Sequence, residues 1–269
     1  MSKKISKAFK ALGMIVKNPY LLNNVLDEQE YWREHVAFCH DRETSLPVVD
    51  ITTLFPEFNV KVNPYAYLDG ATLPNDIAVL KALAVKYNVK DYFEIGTWRG
   101  ESVANVADVV DNCTTLNLPD EEMKRLGYSD DYINMHRFFS KDIKNVKHLF
   151  GDSHKFNFEE HYHKYDMVFI DGNHHYEAVV KDSHIAFKLL KDENSIIVWH
   201  DYAFEPETIR WSVMAGILDS TPTGKLYRIY HIANTLCAVY INEDLKTSVL
   251  KINEKPDKYF EINIKAVKI

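Results

Sequence analysis

The chain has 269 residues, 46% hydrophobic and 26% charged, which suits one substantial α/β core with an appendage. Its 32 Lys and Arg against 39 Asp and Glu leave a net charge of −7, which argues against nucleic acid as a partner. No apolar run approaches the ~20 residues of a membrane span. Cys39, Cys113 and Cys237 show no paired spacing, so they read as reduced thiols of a cytoplasmic chain.

Residues 1–72 read as an N-terminal helical and irregular extension. Its first helix is basic and amphipathic, with Lys3, Lys4, Lys7 and Lys10 around Ile5, Phe9, Leu12 and Val16, and is expected to pack on the catalytic domain or on a second subunit, with a resting place on a membrane surface as the alternative. Asp27–His40 is a second helical stretch, and the proline-punctuated Leu46–Tyr67 is expected to cover the mouth of a site. Ile77, Leu80, Ala84 and Tyr87 mark the helix leading into a first strand, Asp91–Ile95. A turn, Gly96-Thr97-Trp98-Arg99-Gly100-Glu101-Ser102, follows and opens a helix over Ser102–Val110. Glycines let backbone approach a ligand closely, and the helix start offers free N–H groups. The spacing is G-x-x-x-G, not the G-x-G-x-x-G of a dinucleotide fingerprint.

The second strand, Cys113–Leu116, ends at Asn117, where a side chain that meets ribose hydroxyls is expected. Glu121–Ser140 should include helix, and Val146–Phe150 is a third strand ending in Gly151-Asp152-Ser153. His154, His161 and His163 lie in a polar stretch read as surface loop. Met167–Ile170 and Ser195–Trp199 are short apolar runs of the kind buried in a parallel sheet, and Glu177–Leu190 between them has helical spacing. In such a βαβ unit both strands end on one sheet edge, so Asp171, His174, His200 and Asp201 can converge there. Thr208–Leu218 reads as helix, Leu226–His231 and Leu236–Ile241 as a closing hairpin, and the alternation Phe260, Ile262, Ile264 as a half-buried strand.

Taken in order, Glu94-x-Gly96-x-x-x-Gly100-x-Ser102, Gly151-Asp152-Ser153, Asp171-Gly-x-His174-x-Tyr176-Glu177 and His200-Asp201-Tyr202 resemble a class I S-adenosylmethionine (SAM)-dependent methyltransferase. More narrowly, they are similar to the metal-dependent O-methyltransferase group that includes macrocin-type sugar O-methyltransferases and cephalosporin-hydroxylase-like proteins. The resemblance implies a Rossmann-like α/β fold with a mostly parallel sheet and an antiparallel last strand. The domain would span 73–245, followed by a strand-containing extension over 246–269. It also implies that Glu94, Gly96, Thr97, Gly100, Ser102, Asn117, Asp152 and Asp171 contact SAM, that Asp171 and Asp201 with His200 bind a divalent metal, and that His174 acts as general base beside Asp171. Asn117 stands where an acid is usual, and His200 where another acid or amide is often found.

The chemistry wants these groups. Methyl transfer from a sulfonium needs a deprotonated oxygen; a cation lowers the hydroxyl's pKa, and a positioned imidazole that removes the proton typically contributes ~10²–10⁴-fold. An imidazole ligand shifts metal preference from Mg²⁺ toward Mn²⁺, Fe²⁺ or Zn²⁺. The competing reading of Asp171 and Asp201 is as caps of the helices that follow. The expected activity is O-methylation of a small hydroxylated acceptor, such as a sugar or glycoside, by a chain that could form homo-oligomers. The rivals are a metal-dependent hydroxylase or hydrolase on the same fold and a non-catalytic SAM-binding relative. A nicotinamide dehydrogenase fits least, since both the phosphate turn and the ribose acid are missing.

Overall fold

The computed structural model describes residues 3–18 and 28–268. Helices α1 (Lys3–Lys17) and α2 (Glu28–His40) come first, then strand β1 (Val48–Val49), the short α3 (Ile51–Leu54) and α4 (Pro74–Lys86). The alternating part follows: β2 (Asp91–Ile95), α5 (Glu101–Val106), β3 (Asn112–Asn117), α6 (Asp120–Arg125), α7 (Asp130–Met135), β4 (Val146–Phe150), β5 (Met167–Ile170), α8 (Tyr176–Leu189) and β6 (Ile196–Trp199). A ribbon of β7 (Ala203–Glu205) and β8 (Thr208–Ile209), helix α9 (Trp211–Ser220), β9 (Ile229–Ile232) and β10 (Ala238–Tyr240) complete the order.

Eight strands form one sheet in the order β1-β9-β10-β6-β5-β2-β3-β4. The pairs from β4 through β6 are parallel, and β10 runs antiparallel to both β6 and β9. This is the expected Rossmann-like methyltransferase sheet with its antiparallel final strand. Strands β5 and β6 are buried along their whole length, as their unbroken apolar sequences require of parallel strands covered on both faces. One apolar layer lies between the sheet and α8 and α9, around Phe93, Val168, Trp199 and Met214; the other lies beneath α4 and α5, around Val79, Leu83, Val103 and Phe169. Full burial of each such side chain is worth ~1.5–3 kcal/mol.

The extension is built into this body from α2 onward. Trp32 stacks on Tyr176 with ring centroids 4.2 Å apart, while His35 and His40 both reach the Asp219 carboxylate, at 2.8 and 2.6 Å. Strand β1 adds a parallel edge to β9. On helix α1, Ile5, Phe9, Leu12 and Val16 are all exposed, so its apolar stripe is not packed on the catalytic body; this overturns that arm of the expectation and not the second-subunit arm. Of the predicted stretch Asp27–His40, Asp27 lies outside the described residues, as does Ile269 at the other end.

Three further segments depart from expectation. The alternating segment around Phe260, Ile262 and Ile264 is not a half-buried strand: 254–268 has no regular structure, pairs with no strand of the sheet, and these side chains are exposed. Helix α9 begins at Trp211, not Thr208, since Thr208–Ile209 pairs with β7. His161 is not a solvated loop residue; its Nδ1 shares a 2.7 Å hydrogen bond with the Tyr165 hydroxyl, and its ring lies against Phe93 and Phe156.

Candidate active site

Register sets the site. Ile95, Ile170 and Trp199 lie side by side across β2, β5 and β6, so the next residues, Gly96, Asp171 and His200, leave the sheet together at its carboxyl edge. The backbone N–H of Asp171 donates to the Ile95 carbonyl at 2.8 Å, and that of His200 to the Ile170 carbonyl at 3.0 Å. Because β2 has β3 on one flank and β5 on the other, this is the point where the order of parallel strands reverses, the usual ligand crevice of an open α/β sheet.

Asp171, His200 and Asp201 each place one ligand atom within 4.8 Å of the others. His200 Nδ1 lies 3.1 Å from Asp171 Oδ1 and 3.4 Å from Asp201 Oδ2 but is aligned for a hydrogen bond with neither. Its other nitrogen, Nε2, is 3.1 Å from Asp76 Oδ2. Burial disfavours the imidazolium, yet Asp171 above all, with Asp201 and Asp76, holds the His200 pKa well above its ordinary value. Burial likewise works against ionisation of Asp201, but His200 and then Arg210 hold that carboxyl down to about 2. Arg210 reaches Asp201 Oδ1 at 3.2 Å, and Thr72 Oγ1 donates to Asp171 Oδ2 at 2.9 Å. The Asp201 backbone is left-handed (φ 58°), a conformation that Asp tolerates better than most residues and that turns the chain immediately after β6.

The donor set fits a divalent cation. Two carboxylates and a buried imidazole nitrogen without an aligned hydrogen-bond partner converge on one point, and the far nitrogen of the ring is held by a carboxylate, as it is in many metal sites. His174 stands at the rim: Nδ1 is 3.7 Å from Asp201 Oδ2, the side chain is 53% exposed, and it lines the same cavity as Asn173, Val179 and Val213. Burial and then Arg210 lower its pKa. His175 does not line that cavity; it is the residue before α8, and its backbone N–H donates to Asn173 Oδ1.

The other half of the crevice is lined by Gly70–Thr72, Thr97–Ser102 and Asp171. Its acid is inward-facing: Glu94 is fully buried, accepting hydrogen bonds from the Tyr92 hydroxyl (2.6 Å) and Ser102 Oγ (3.0 Å). Burial raises its pKa to about 8, with Asp171 adding to the rise. Thr97 is hydrogen-bonded to Thr115 through their hydroxyls. The glycines are constrained by the chain itself. A Cβ on Gly96 (φ 93°) would collide with the Asp171 carbonyl, and one on Gly100 (φ 80°) with the Ser140 side chain, so the chain's own packing already demands glycine at both.

Asn117 and Asp152 stand at the ends of β3 and β4. The Asn117 amide donates to His136 Nδ1 at 2.9 Å, and Asp152 pairs with Lys155 at 2.8 Å. Residues 63–72 lie across α5: Arg99 donates to the Leu68 and Asp69 carbonyls, and Glu101 accepts from Ala66 N–H. Sequence reasoning missed Asp76, Thr72, Arg210 and His136. Asp76 had only the look of an acid in a helix's first turn, and Thr72 and Arg210 carried no motif. Buried Asp182 was missed too; burial raises its pKa to about 6, and its Oδ1 lacks a hydrogen bond, with His154 Nε2 4.0 Å away.

Residues 93–202 match a family model described as a methyltransferase domain. That span of the chain therefore corresponds to a methyltransferase domain, on a sheet with the class I strand order. Among solved structures it is similar to an O-methyltransferase from Bacillus cereus in complex with SAH, with 14% identity over 84% of this chain and 97% of that one and a TM-score of 0.42. It is similar as well to a protein from Staphylococcus aureus described as a candidate caffeoyl-CoA O-methyltransferase, with 16% identity over 84% and 99% and a TM-score of 0.42. A candidate methyltransferase from Bacillus halodurans shares 18% identity over 46% of this chain, which spans only 50% of that one, with a TM-score of 0.36. A search of curated proteins finds no match.

Proposed function

We propose that this protein transfers the methyl group of SAM to a hydroxyl oxygen of a small acceptor in the cytoplasm, with a divalent cation held by Asp171, His200 and Asp201. The observation that carries the metal is the convergence of two carboxylates and His200 Nδ1 on one point at the end of β5 and β6. When bound, SAM would supply the electrophilic methyl group and the cation would lower the acceptor hydroxyl's pKa. Gly96, Thr97, Gly100 and Ser102, with Glu94 of β2 behind them, form the face against which SAM would lie, with Asn117, Asp152 and Asp171 toward its polar groups. His174, at the rim of the acid cluster, is placed to take the acceptor's proton. Arg210 fixes one oxygen of Asp201 and so aims the other at His200.

A sugar or glycoside acceptor is the leading choice, on the strength of the resemblance to sugar O-methyltransferases. The domain proper is taken as 73–245, flanked by extensions. Titration calorimetry with SAM, followed by methyl-transfer assays on a panel of hydroxylated acceptors before and after chelation, tests the reading. No heat with SAM would remove it. Full activity in protein shown to be metal-free would instead leave His200 as a salt-bridged imidazolium and return the two aspartates to a structural role.

A further inference from the structure

The acid cluster is backed by a residue to which no role has been assigned. Asp76 lies in the first turn of α4, far from β6 in sequence, and is completely buried. Both of its oxygens are engaged: Oδ1 accepts the Leu236 backbone N–H at 3.1 Å, and Oδ2 meets His200 Nε2 at 3.1 Å. The Leu236 contact ties it to the turn before β10. On the opposite edge of the imidazole, Nδ1 points between Asp171 and Asp201. A fully buried carboxylate is costly unless each oxygen is satisfied, and here the two donors are a backbone amide and one nitrogen of a candidate ligand.

We infer that Asp76 is a positioning residue that keeps the Nε2 proton on its own side of the His200 ring, presents the Nδ1 lone pair to the cation, and so gives the site a preference for a borderline transition metal over Mg²⁺. This rests on the metal reading above. Backing carboxylates of this kind fix the tautomer and orientation of a metal-bound imidazole, and their loss typically costs ~10–100-fold in metal affinity. An imidazole in the ligand set moves the preference toward Fe²⁺ or Zn²⁺, whereas carboxylates alone suit Mg²⁺.

Asp76→Asn is a discriminating change because it keeps the shape and removes one acceptor. If the amide oxygen stays on the Leu236 N–H, the amide NH₂ faces His200 Nε2, which must then accept, and the proton moves to Nδ1 where a metal would bind. Zinc titration calorimetry on the full chain should show ~10–100-fold weaker binding by the variant, with SAM affinity unchanged. In a His200→Asn background the same substitution should add nothing to the loss. Zinc-loaded wild type, followed by ¹⁵N correlation spectroscopy of the histidine rings, should show His200 protonated at Nε2, and zinc should bind more tightly than Mg²⁺. Zinc affinity that is unaltered by Asp76→Asn, or a proton on Nδ1 in the zinc-loaded wild type, overturns the role of Asp76 while leaving the metal site standing. If the variant does not fold, the wild-type spectrum alone decides. Failure of the wild type to bind zinc or Mg²⁺ removes the metal reading itself.

Discussion

The two halves of the crevice are built on opposite principles. Around Gly96–Ser102 the acid and the glycines are occupied by the chain itself: Glu94 is capped by Tyr92 and Ser102, Thr97 by Thr115, and both glycines have their Cβ directions blocked by neighbouring chain. Around Asp171, His200 and Asp201 it does not: carboxylates crowd an imidazole whose Nδ1 has no aligned partner. The first half is constrained by backbone space and the second by charge. Substitution should therefore break the fold in one half and ligand binding in the other.

Gly96→Val puts the largest strain on that contrast. A side chain there meets the Asp171 carbonyl in a left-handed backbone conformation, so the loss should exceed ~4 kcal/mol and appear as failure to fold or a large drop in melting temperature, whether or not SAM is present. A folded, wild-type-like Gly96→Val protein that merely binds SAM poorly would show that the turn is shaped for the ligand after all. On the charged side, His174→Ala should keep the wild-type melting temperature and SAM affinity but lower turnover ~10²-fold. The control is His175→Ala, expected near wild-type turnover in the same assay; equal losses in both variants would remove the distinction between them.

Asp182 tests burial of charge away from both halves. Its folded pKa, about 6, lies above the ordinary 3.8, so folding favours its protonated form. Stability linked to this group is present at pH below 3.8 and is lost as pH rises through about 6. Asp182→Asn should thus stabilise the protein at pH 8 by up to about 3 kcal/mol, since each tenfold change in proton affinity is worth about 1.36 kcal/mol, and by little at pH 4. Denaturant unfolding at the two pH values measures it, and an equal effect at both would refute the charge explanation. The smallest effect is expected at the C-terminus: deleting 254–268, whose apolar side chains are exposed, should alter stability by no more than a surface change does, about ±0.5 kcal/mol, as read from the melting temperature.

Much of this architecture is written locally. Asp91–Ile95, Val146–Phe150 and Met167–Ile170 form strands with the predicted bounds; Met167–Ile170 is apolar along its length, as a parallel strand covered on both faces must be, whereas the edge strand Val146–Phe150 is only partly buried. The strand ends that carry Asp171, His200 and Asp201 were readable for the same reason: the βαβ rule places successive parallel strand ends on one edge. Periodicity misled where it had no partner to act on. The alternation at Phe260–Ile264 pairs with no strand, and its apolar side chains stay exposed.

What only the tertiary structure decided are the contacts whose members are remote in sequence. Asp76 behind His200, Thr72 on Asp171, Arg210 on Asp201 and His136 on Asn117 each join residues from separate elements, and no local pattern marks one surface acid or hydroxyl as the one that will be buried there. The glycines make the same point in reverse: the sequence determined that Gly96 and Gly100 needed room, since a turn between strand and helix at that spacing calls for it. Only the packed structure shows that the room is taken by the Asp171 carbonyl and the Ser140 side chain, because hard-sphere exclusion depends on what the rest of the fold brings alongside.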